Sequence, residues 1–227
     1  MRRFYLSCCL AAMSLAIVAP HSVDAAESLD YTYLDLAYVG RDIDAFDDDE
    51  GVIEDLDDGG GVALEGSLAL GDNFFIFGGY SDTESDVTFA NDEVFPLPAE
   101  TDIKRLDLGV GTMVEINDRL DFVGRLGYVD IDFGDFDFGA SEDIDANDLL
   151  DDSSDGYLVD IGLRSQLLTN LEGSIGVRHI DVEEIDNTSL LASLLFELSP
   201  SWDIGVSVDA GDDVSTYMLG VRFSPSP

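Results

Sequence analysis

Cysteine is almost absent from this 227-residue chain, and its two copies, Cys8 and Cys9, both lie near the amino terminus. Arg2 and Arg3 precede an almost unbroken apolar run over residues 4–18, and small residues follow at Val23 and Ala25. This layout is typical of a cleaved secretory signal peptide. We therefore expect residues 1–25 to be removed and residues 26–227 to form one domain without disulfide or thiol chemistry.

The chain contains few basic residues and many acidic ones. The chain has 10 Lys and Arg against 49 Asp and Glu. Loss of Arg2, Arg3 and Asp24 with the leader leaves 8 against 48, a net charge of −40. This sign excludes nucleic acid as a partner. Hydrophobic residues nevertheless make up 45% of the chain, which argues against an acidic disordered protein.

Long hydrophobic runs are missing after residue 25, where no stretch approaches the roughly 18 apolar residues of a transmembrane helix. Apolar residues alternate instead with small or polar ones, a period of two that is typical of β-strands. Ten segments follow this pattern: 34–40, 62–70, 74–80, 104–116, 120–128, 157–166, 171–178, 190–198, 202–209 and 216–223. The segment 74–80 is apolar at both parities, so its phase stays open.

The connections between these segments alternate strictly between short and long. The short ones are 71–73, 117–119, 169–170 and 200–201, and the long ones are 42–59, 82–102, 132–155, 183–188 and 210–213. This alternation predicts an all-β, transmembrane, antiparallel up-and-down β-barrel of ten strands, with eight as the alternative and both termini at the short-turn, periplasmic end. The apolar faces then meet lipid. A secreted β-sandwich is the soluble alternative.

Charged residues recur at the inward parity of the predicted barrel. They are Asp35, Glu65, Arg105, Asp107, Glu115, Arg125, Asp160, Arg164, Glu172, Arg178 and Glu197. In a narrow lumen each guanidinium needs a carboxylate partner. One interpretation is a salt-bridge network that fills the interior of a structural or interaction barrel. The other is an ion path through a small cation-favouring channel. Because small barrels are largely filled by their side chains, the first is preferred.

Two stretches resemble a known family, and a third, residues 217–223, looks like its terminal signal. Residues 29–38 (LDYTYLDLAY) and 71–82 (GDNFFIFGGYSD) resemble strands of small outer-membrane barrel proteins of gammaproteobacteria, especially those of xanthomonads, similar in layout to OmpA and OmpX. The resemblance implies a surface barrel in the cell outer membrane, in contact with lipid and lipopolysaccharide, and not an enzyme. It also implies that Tyr217, Gly220 and Phe223 form the signal read by the barrel assembly machinery. The tail, residues 224–227, departs from the family, whose chains commonly end at the aromatic residue.

Two further patterns are weak. His179, the one histidine after the leader, lies two residues before Asp181, and such a rim dyad resembles the site of ten-stranded omptin-type proteases. A histidine with an ordinary rim partner is preferred. Asp143, Asp145 and Asn147 mimic three ligand positions of a calcium loop, but the required glycine and glutamate are absent, so the motif fails. We expect no cofactor beyond Ca²⁺ or Mg²⁺ loosely bound at acidic loops.

The acidic connections generate a prediction about cations. Connections 42–59 and 132–155 hold 20 acidic residues and no Lys or Arg, and exposed charges of one sign repel over a Debye length of about 8 Å at physiological salt. We expect these loops to become ordered and to resist protease better in millimolar Ca²⁺ or in high salt. If Ca²⁺ protects where equal ionic strength of NaCl does not, carboxylates bind it directly. Equal protection by both salts would mean screening alone, and no protection by either would end the cation hypothesis.

Overall fold

The chain folds into antiparallel strands joined by turns. The computed structural model describes residues 29–43, 53–56, 59–89, 97–134, 153–182, 185–211 and 214–225. The strands are β1 Tyr33–Ile43, β2 Ile53–Leu56, β3 Gly59–Ala69, β4 Phe74–Phe89, β5 Leu97–Asn117, β6 Leu120–Phe133, β7 Ser153–Leu168, β8 Leu171–Val182, β9 Ile185–Ser199, β10 Trp202–Ala210 and β11 Val214–Phe223. No helix in these ranges is long and apolar enough to cross a membrane.

Ten of these strands close into a barrel. Each pairs with its neighbours along the chain, and β1 pairs with both β3 and β11, so that Leu36 lies opposite Leu64 on one side and Val221 on the other. Closure gives every strand two partners, which removes the free sheet edges that hydrocarbon would not tolerate. The short β2 pairs only with the outer part of β4. The ten-strand prediction is confirmed, and the eight-strand and sandwich alternatives are wrong.

The apolar side chains of the strands point away from the lumen. On β5, Leu108 is 53% exposed and Val110 is 58% exposed. Such a continuous apolar surface needs lipid to cover it. The structure also fixes the phase of β4, because Phe74 and Ile76 are exposed whereas Phe75 is buried inside the barrel.

The predicted long connection 82–102 is wrong. Strands β4 and β5 continue through most of it in register, up to Phe89 opposite Leu97. The inward Thr83 and Thr101 are buried there, and the Thr83 hydroxyl donates to the Ile103 carbonyl at 3.1 Å. Polar composition indicated a loop, but β-branched threonines pack well on a pleated sheet. The connection 183–188 is shorter for the same reason, since β9 already begins at Ile185.

The lumen is filled differently at its two ends. Toward the end with the long connections, inward apolar side chains of β5 to β8 form one packed cluster: Ile103, Val129, Ile131, Leu158, Ile180 and Val182. Toward the short-turn end the inward side chains are mostly charged or aromatic. The inward face was expected to be polar throughout, so this apolar cluster was not predicted.

The face assignment predicts how arginine substitutions behave. Leu108→Arg or Val206→Arg should oppose folding into bilayers by about 2–4 kcal/mol, because each places a cation in hydrocarbon near the midplane. Ser174→Arg, which points into the lumen, should be tolerated better. The measurement is the folded fraction in lipid vesicles, read from the heat-modifiable shift on gels. Equal losses at lipid-facing and lumenal positions would show that the faces are assigned wrongly.

Candidate functional site

Arg178 on β8 lies at the centre of an ion-pair network inside the barrel. Its Nε and Nη2 donate to the two carboxylate oxygens of Asp160 on β7 at 2.8 and 2.9 Å. Its Nη1 donates at 3.0 Å to Asp209 on β10, beyond the intervening β9. Arg125 on β6 also approaches Asp160, at 3.1 Å. One buried carboxylate therefore joins two guanidiniums, and the network ties four strands together.

Strand register brings the central residues of this network together. Asp160 lies directly opposite Arg125 on one side and Arg178 on the other. Side chains opposite each other in antiparallel strands share a face and come within contact distance. Because all three residues point inward on paired strands, charges that are far apart in the sequence become adjacent ion pairs. Bidentate pairing of this kind fixes a guanidinium more firmly than a single contact does.

Two further bidentate pairs lie nearer the short-turn end. Arg222 on β11 donates to both oxygens of Asp35, its register partner on β1, at 2.8 and 2.7 Å. Its guanidinium also stacks 3.7 Å from the Tyr33 ring. Arg164 on β7 donates hydrogen bonds to both carboxylate oxygens of Glu172 on β8, with Nη2 at 3.0 Å from Oε2. These arginines are thereby neutralised within the barrel wall.

The segment before β1 crosses the short-turn mouth of the barrel. Its Tyr31 donates a 2.8 Å hydrogen bond to Asp121 on β6, and Arg164 donates at 2.7 Å to the Asp30 carbonyl. The Tyr31 ring lies 4.6 Å from the Arg164 guanidinium and stacks on Phe75 at 5.3 Å. Burial raises the pKa of the Tyr31 phenol, the Arg164 cation opposes this, and the hydrogen bond to Asp121 adds to the rise. Tyr31 is therefore neutral at physiological pH.

The structure distributes the predicted lumenal residues unevenly. Six of them form the network and the two bidentate pairs just described: Asp35, Arg125, Asp160, Arg164, Glu172 and Arg178. Arg105 and Asp107 form a separate 2.9 Å pair within β5. Glu65 and Glu197 face the lumen without an ion pair to any described residue. Glu115 is exposed beside the β5–β6 turn and makes no ion pair within the part of the chain that is described.

Sequence analysis missed four members of the site: Tyr31, Asp121, Asp209 and Arg222. Asp121, Asp209 and Arg222 carry the same inward parity as the residues that were chosen, so the signal was present and was not followed. Tyr31 lies outside any strand, and no periodic pattern points to it. Its role comes from a chain path across the lumen, which local sequence does not encode.

A lumenal cavity of about 210 Å³ adjoins the network. Small residues on β8 to β11 leave this space, among them Ser174, Ser193, Gly205, Ser207 and Gly220. Its charged lining comprises Asp35, Glu65, Asp160, Glu172 and Asp209 together with Arg125, Arg164, Arg178 and Arg222. Five carboxylates against four guanidiniums give the lining a formal charge of −1. The cavity is therefore nearly neutral, in contrast to the chain as a whole.

The remaining predicted sites behave differently. His179 lies on the outer face, where Nδ1 is 3.0 Å from the Thr188 hydroxyl and 3.5 Å from Asp186. Asp181 instead accepts a 2.9 Å hydrogen bond from Tyr157, so the predicted His179–Asp181 dyad does not form. Among the residues that can be described, no cluster of His, Cys, Asp or Glu could hold a metal ion.

Two other sets of candidate residues were named in the sequence analysis. Asp143, Asp145 and Asn147 fall outside the described ranges. Tyr217 and Phe223 face outward on β11, and Gly220 between them faces the lumen. Phe223 packs against Trp202, with ring centroids 5.1 Å apart. The terminal aromatic is thus part of the lipid-facing surface near the short-turn end.

Comparison with known proteins shows what the barrel is similar to. The family model described as outer membrane protein beta-barrel domain matches residues 8–224. The solved structure of the outer membrane protein OprG from Pseudomonas aeruginosa has a TM-score of 0.53 at 14% identity, covering 88% of this chain and 99% of that one. The translocator domain of the autotransporter NalP from Neisseria meningitidis has a TM-score of 0.50 at 13% identity, covering 99% and 96%. No curated protein matches the chain in sequence.

The network predicts a large cost for removing its shared carboxylate. Asp160→Asn leaves Arg178 and Arg125 without their common anion, and breaking a buried ion pair from one side costs about 3–5 kcal/mol. Glu115→Gln is the matched control, because Glu115 is exposed, and it should change stability by less than about 0.5 kcal/mol. Urea unfolding of the barrel in lipid vesicles measures both. Similar stabilities for the two variants would mean that the network contributes nothing.

Proposed function

Because the chain belongs to the family of outer membrane protein β-barrel domains and resides in the outer membrane of a Gram-negative bacterium, we propose that it is a structural or interaction barrel. Its lumen stays closed to ions, and its acidic outer connections make the functional contacts. The barrel holds those connections at the cell surface, and no chemistry takes place inside it.

The observation that carries this proposal is the bridge formed by Arg178. Its guanidinium spans from Asp160 on β7 to Asp209 on β10 with all three contacts at 3.0 Å or less. A side chain fixed at both ends obstructs the lumen and cannot swing aside without leaving buried charges unpaired. Above it, inward side chains of β5 to β8 form a buried apolar cluster in the outer half. These features support a filled interior.

The proposed partners lie at the outer surface. Lipopolysaccharide carries phosphate groups, and an acidic loop surface would repel them unless divalent cations gather between the two. We expect Ca²⁺ or Mg²⁺ to be held loosely in this way. Insertion into the membrane would use the barrel assembly machinery, with Tyr217, Gly220 and Phe223 as the recognised signal. Each of these contacts needs only the barrel as a scaffold.

A second candidate function is a small cation-favouring channel, and the lumenal cavity favours it. The charged lining has one carboxylate more than it has guanidiniums, and Glu65 makes no ion pair with any described residue. A cation entering the lumen would therefore meet an unneutralised carboxylate. An anion would find every guanidinium of the lining already facing a carboxylate. If the lumen conducts at all, it should prefer cations.

Planar-bilayer recording separates the two candidates. We expect silence from protein whose folding has been verified by the heat-modifiable gel shift, because the Arg178 bridge blocks the lumen. Discrete conductance steps from the same protein would refute the closed-lumen proposal. Cation selectivity that is lost in Glu65→Gln and kept in the exposed control Glu115→Gln would then establish the channel. Steps that are insensitive to Glu65→Gln would place the ion path outside the lumenal cavity.

A further inference from the structure

Residues 29–32, which we name the latch, span the periplasmic mouth of the barrel. Around the ring of ten strands, β6 and β7 lie on the side opposite β1. The latch enters from β1, yet the Tyr31 hydroxyl reaches Asp121 on β6 and the Asp30 carbonyl accepts from Arg164 on β7. The latch and the Arg164 side chain together therefore bridge the lumen, and the latch is held there through a neutral phenol and a backbone carbonyl.

The latch fills the half of the mouth on the side of β3 to β6. Tyr31 is only 6% exposed and packs with Leu29 against Phe75, Met113 and Val123. On the side of β1 and β11, the Tyr33 ring lies under the Arg222 guanidinium. Since Tyr31 is itself part of the wall of the 210 Å³ cavity, the docked latch borders that cavity on its periplasmic side.

The latch is attached without belonging to the sheet. Strand pairing begins at Tyr33, so no ladder hydrogen bond holds residues 29–32. The hydrogen bonds that tie the latch to the barrel wall each have a side chain on at least one side, including a 3.2 Å bond from the Ala69 amide to the Thr32 hydroxyl. The Asp30 carboxylate accepts from the Thr32 amide at 2.7 Å, a local turn that ends just where β1 begins. Release would therefore leave all ten strands paired.

Release would also leave Arg164 satisfied. Its Nε and Nη2 stay on Glu172 whether or not the latch is docked, and only Nη1 and the ring contact with Tyr31 are lost. A segment whose departure breaks no strand pairing and strands no buried charge belongs to the low-stability end of the structure. We propose that residues 29–32 form a reversible latch, which closes the lumenal cavity to the periplasm when docked and opens it when released. This goes beyond the proposed function, because contacts at the outer surface do not depend on it.

Thiol accessibility tests the latch directly, because the expected mature chain has no cysteine of its own. Ser207→Cys places one thiol on the cavity wall. Asp72→Cys places one on an exposed turn, where its rate of reaction with maleimide sets the upper limit. A membrane-impermeant maleimide is added to the folded protein in detergent micelles. Protein without an introduced cysteine gives the background.

We expect the Ser207→Cys thiol to react much more slowly than the Asp72→Cys thiol. Adding Tyr31→Ala should speed its reaction at least about tenfold, because the rate follows the population of the open form and tenfold corresponds to about 1.4 kcal/mol. Tyr31→Phe keeps the stacked ring and loses only the hydrogen bond to Asp121, so it should give a smaller increase. Phe74→Ala, which removes the neighbouring lipid-facing ring, should give none.

The same rates decide against the latch in three cases. Fast reaction of Ser207→Cys with Tyr31 intact would show that the docked segment does not close the cavity. Unchanged rates in both Tyr31 variants, with normal gel shifts, would show that access does not run through the latch. An equal increase in Phe74→Ala would mean general loosening. If Tyr31→Ala fails to fold, the comparison of Tyr31→Phe with Phe74→Ala decides alone. None of these results bears on bilayer conductance, so the closed-lumen proposal stands or falls separately.

Discussion

Closure of the sheet is the constraint on which the rest of this structure depends. In hydrocarbon an unpaired backbone amide or carbonyl costs several kcal/mol, so every strand must have two neighbours. The pairing of β1 with β11 supplies the last of these contacts over ten consecutive residue pairs. Once the ring is closed, the alternation of side chains decides everything else, because each residue then faces either lipid or a confined lumen.

Confinement explains why the lumen is asymmetric. Three of its arginines, Arg125, Arg164 and Arg178, project from adjacent strands β6 to β8, whereas small residues such as Ser207 and Gly220 line the opposite wall. Long guanidinium side chains need space, and glycine and serine provide it. The cavity is what remains after the arginines have reached their carboxylates. Network and cavity are therefore two consequences of one arrangement of large and small residues.

The sequence predicted those features that a period of two encodes. Ten strands, their lipid faces and the inward parity of Asp160 and Arg178 all follow from alternation. It could not fix the phase of β4, because Phe74 and Phe75 are equally apolar and only packing against the barrel interior separates them. The outer part of β4 was predicted as a loop because residues there such as Thr83 are polar. In the structure Thr83 is buried within a strand. Tyr31 was out of reach altogether, since its partners Asp121 and Arg164 lie 90 and 133 positions away in the sequence.

The near-neutral lumen implies where the surplus charge of the chain must be. A low-dielectric interior tolerates carboxylates only beside cations, so the net charge of −39 carried by the chain cannot be placed inside. On the outer face of the barrel, the surplus of negative charge begins at a defined height. Tyr80, Tyr128 and Tyr157 are the last outward aromatics of their strands, and their hydroxyls donate to Asp82, Asp130 and Asp181 at 3.5, 3.3 and 2.9 Å.

Each of these rings sits where apolar outward residues give way to acidic ones, as aromatic residues do at a membrane–water interface. The acidic zone therefore starts at the height of the lipid headgroups and not only in the loops beyond. Because like charges repel over a Debye length, we expect cations to gather where this anionic wall meets phosphate-bearing lipid. The same segregation that keeps the lumen nearly neutral thus places the surplus negative charge at the outer surface.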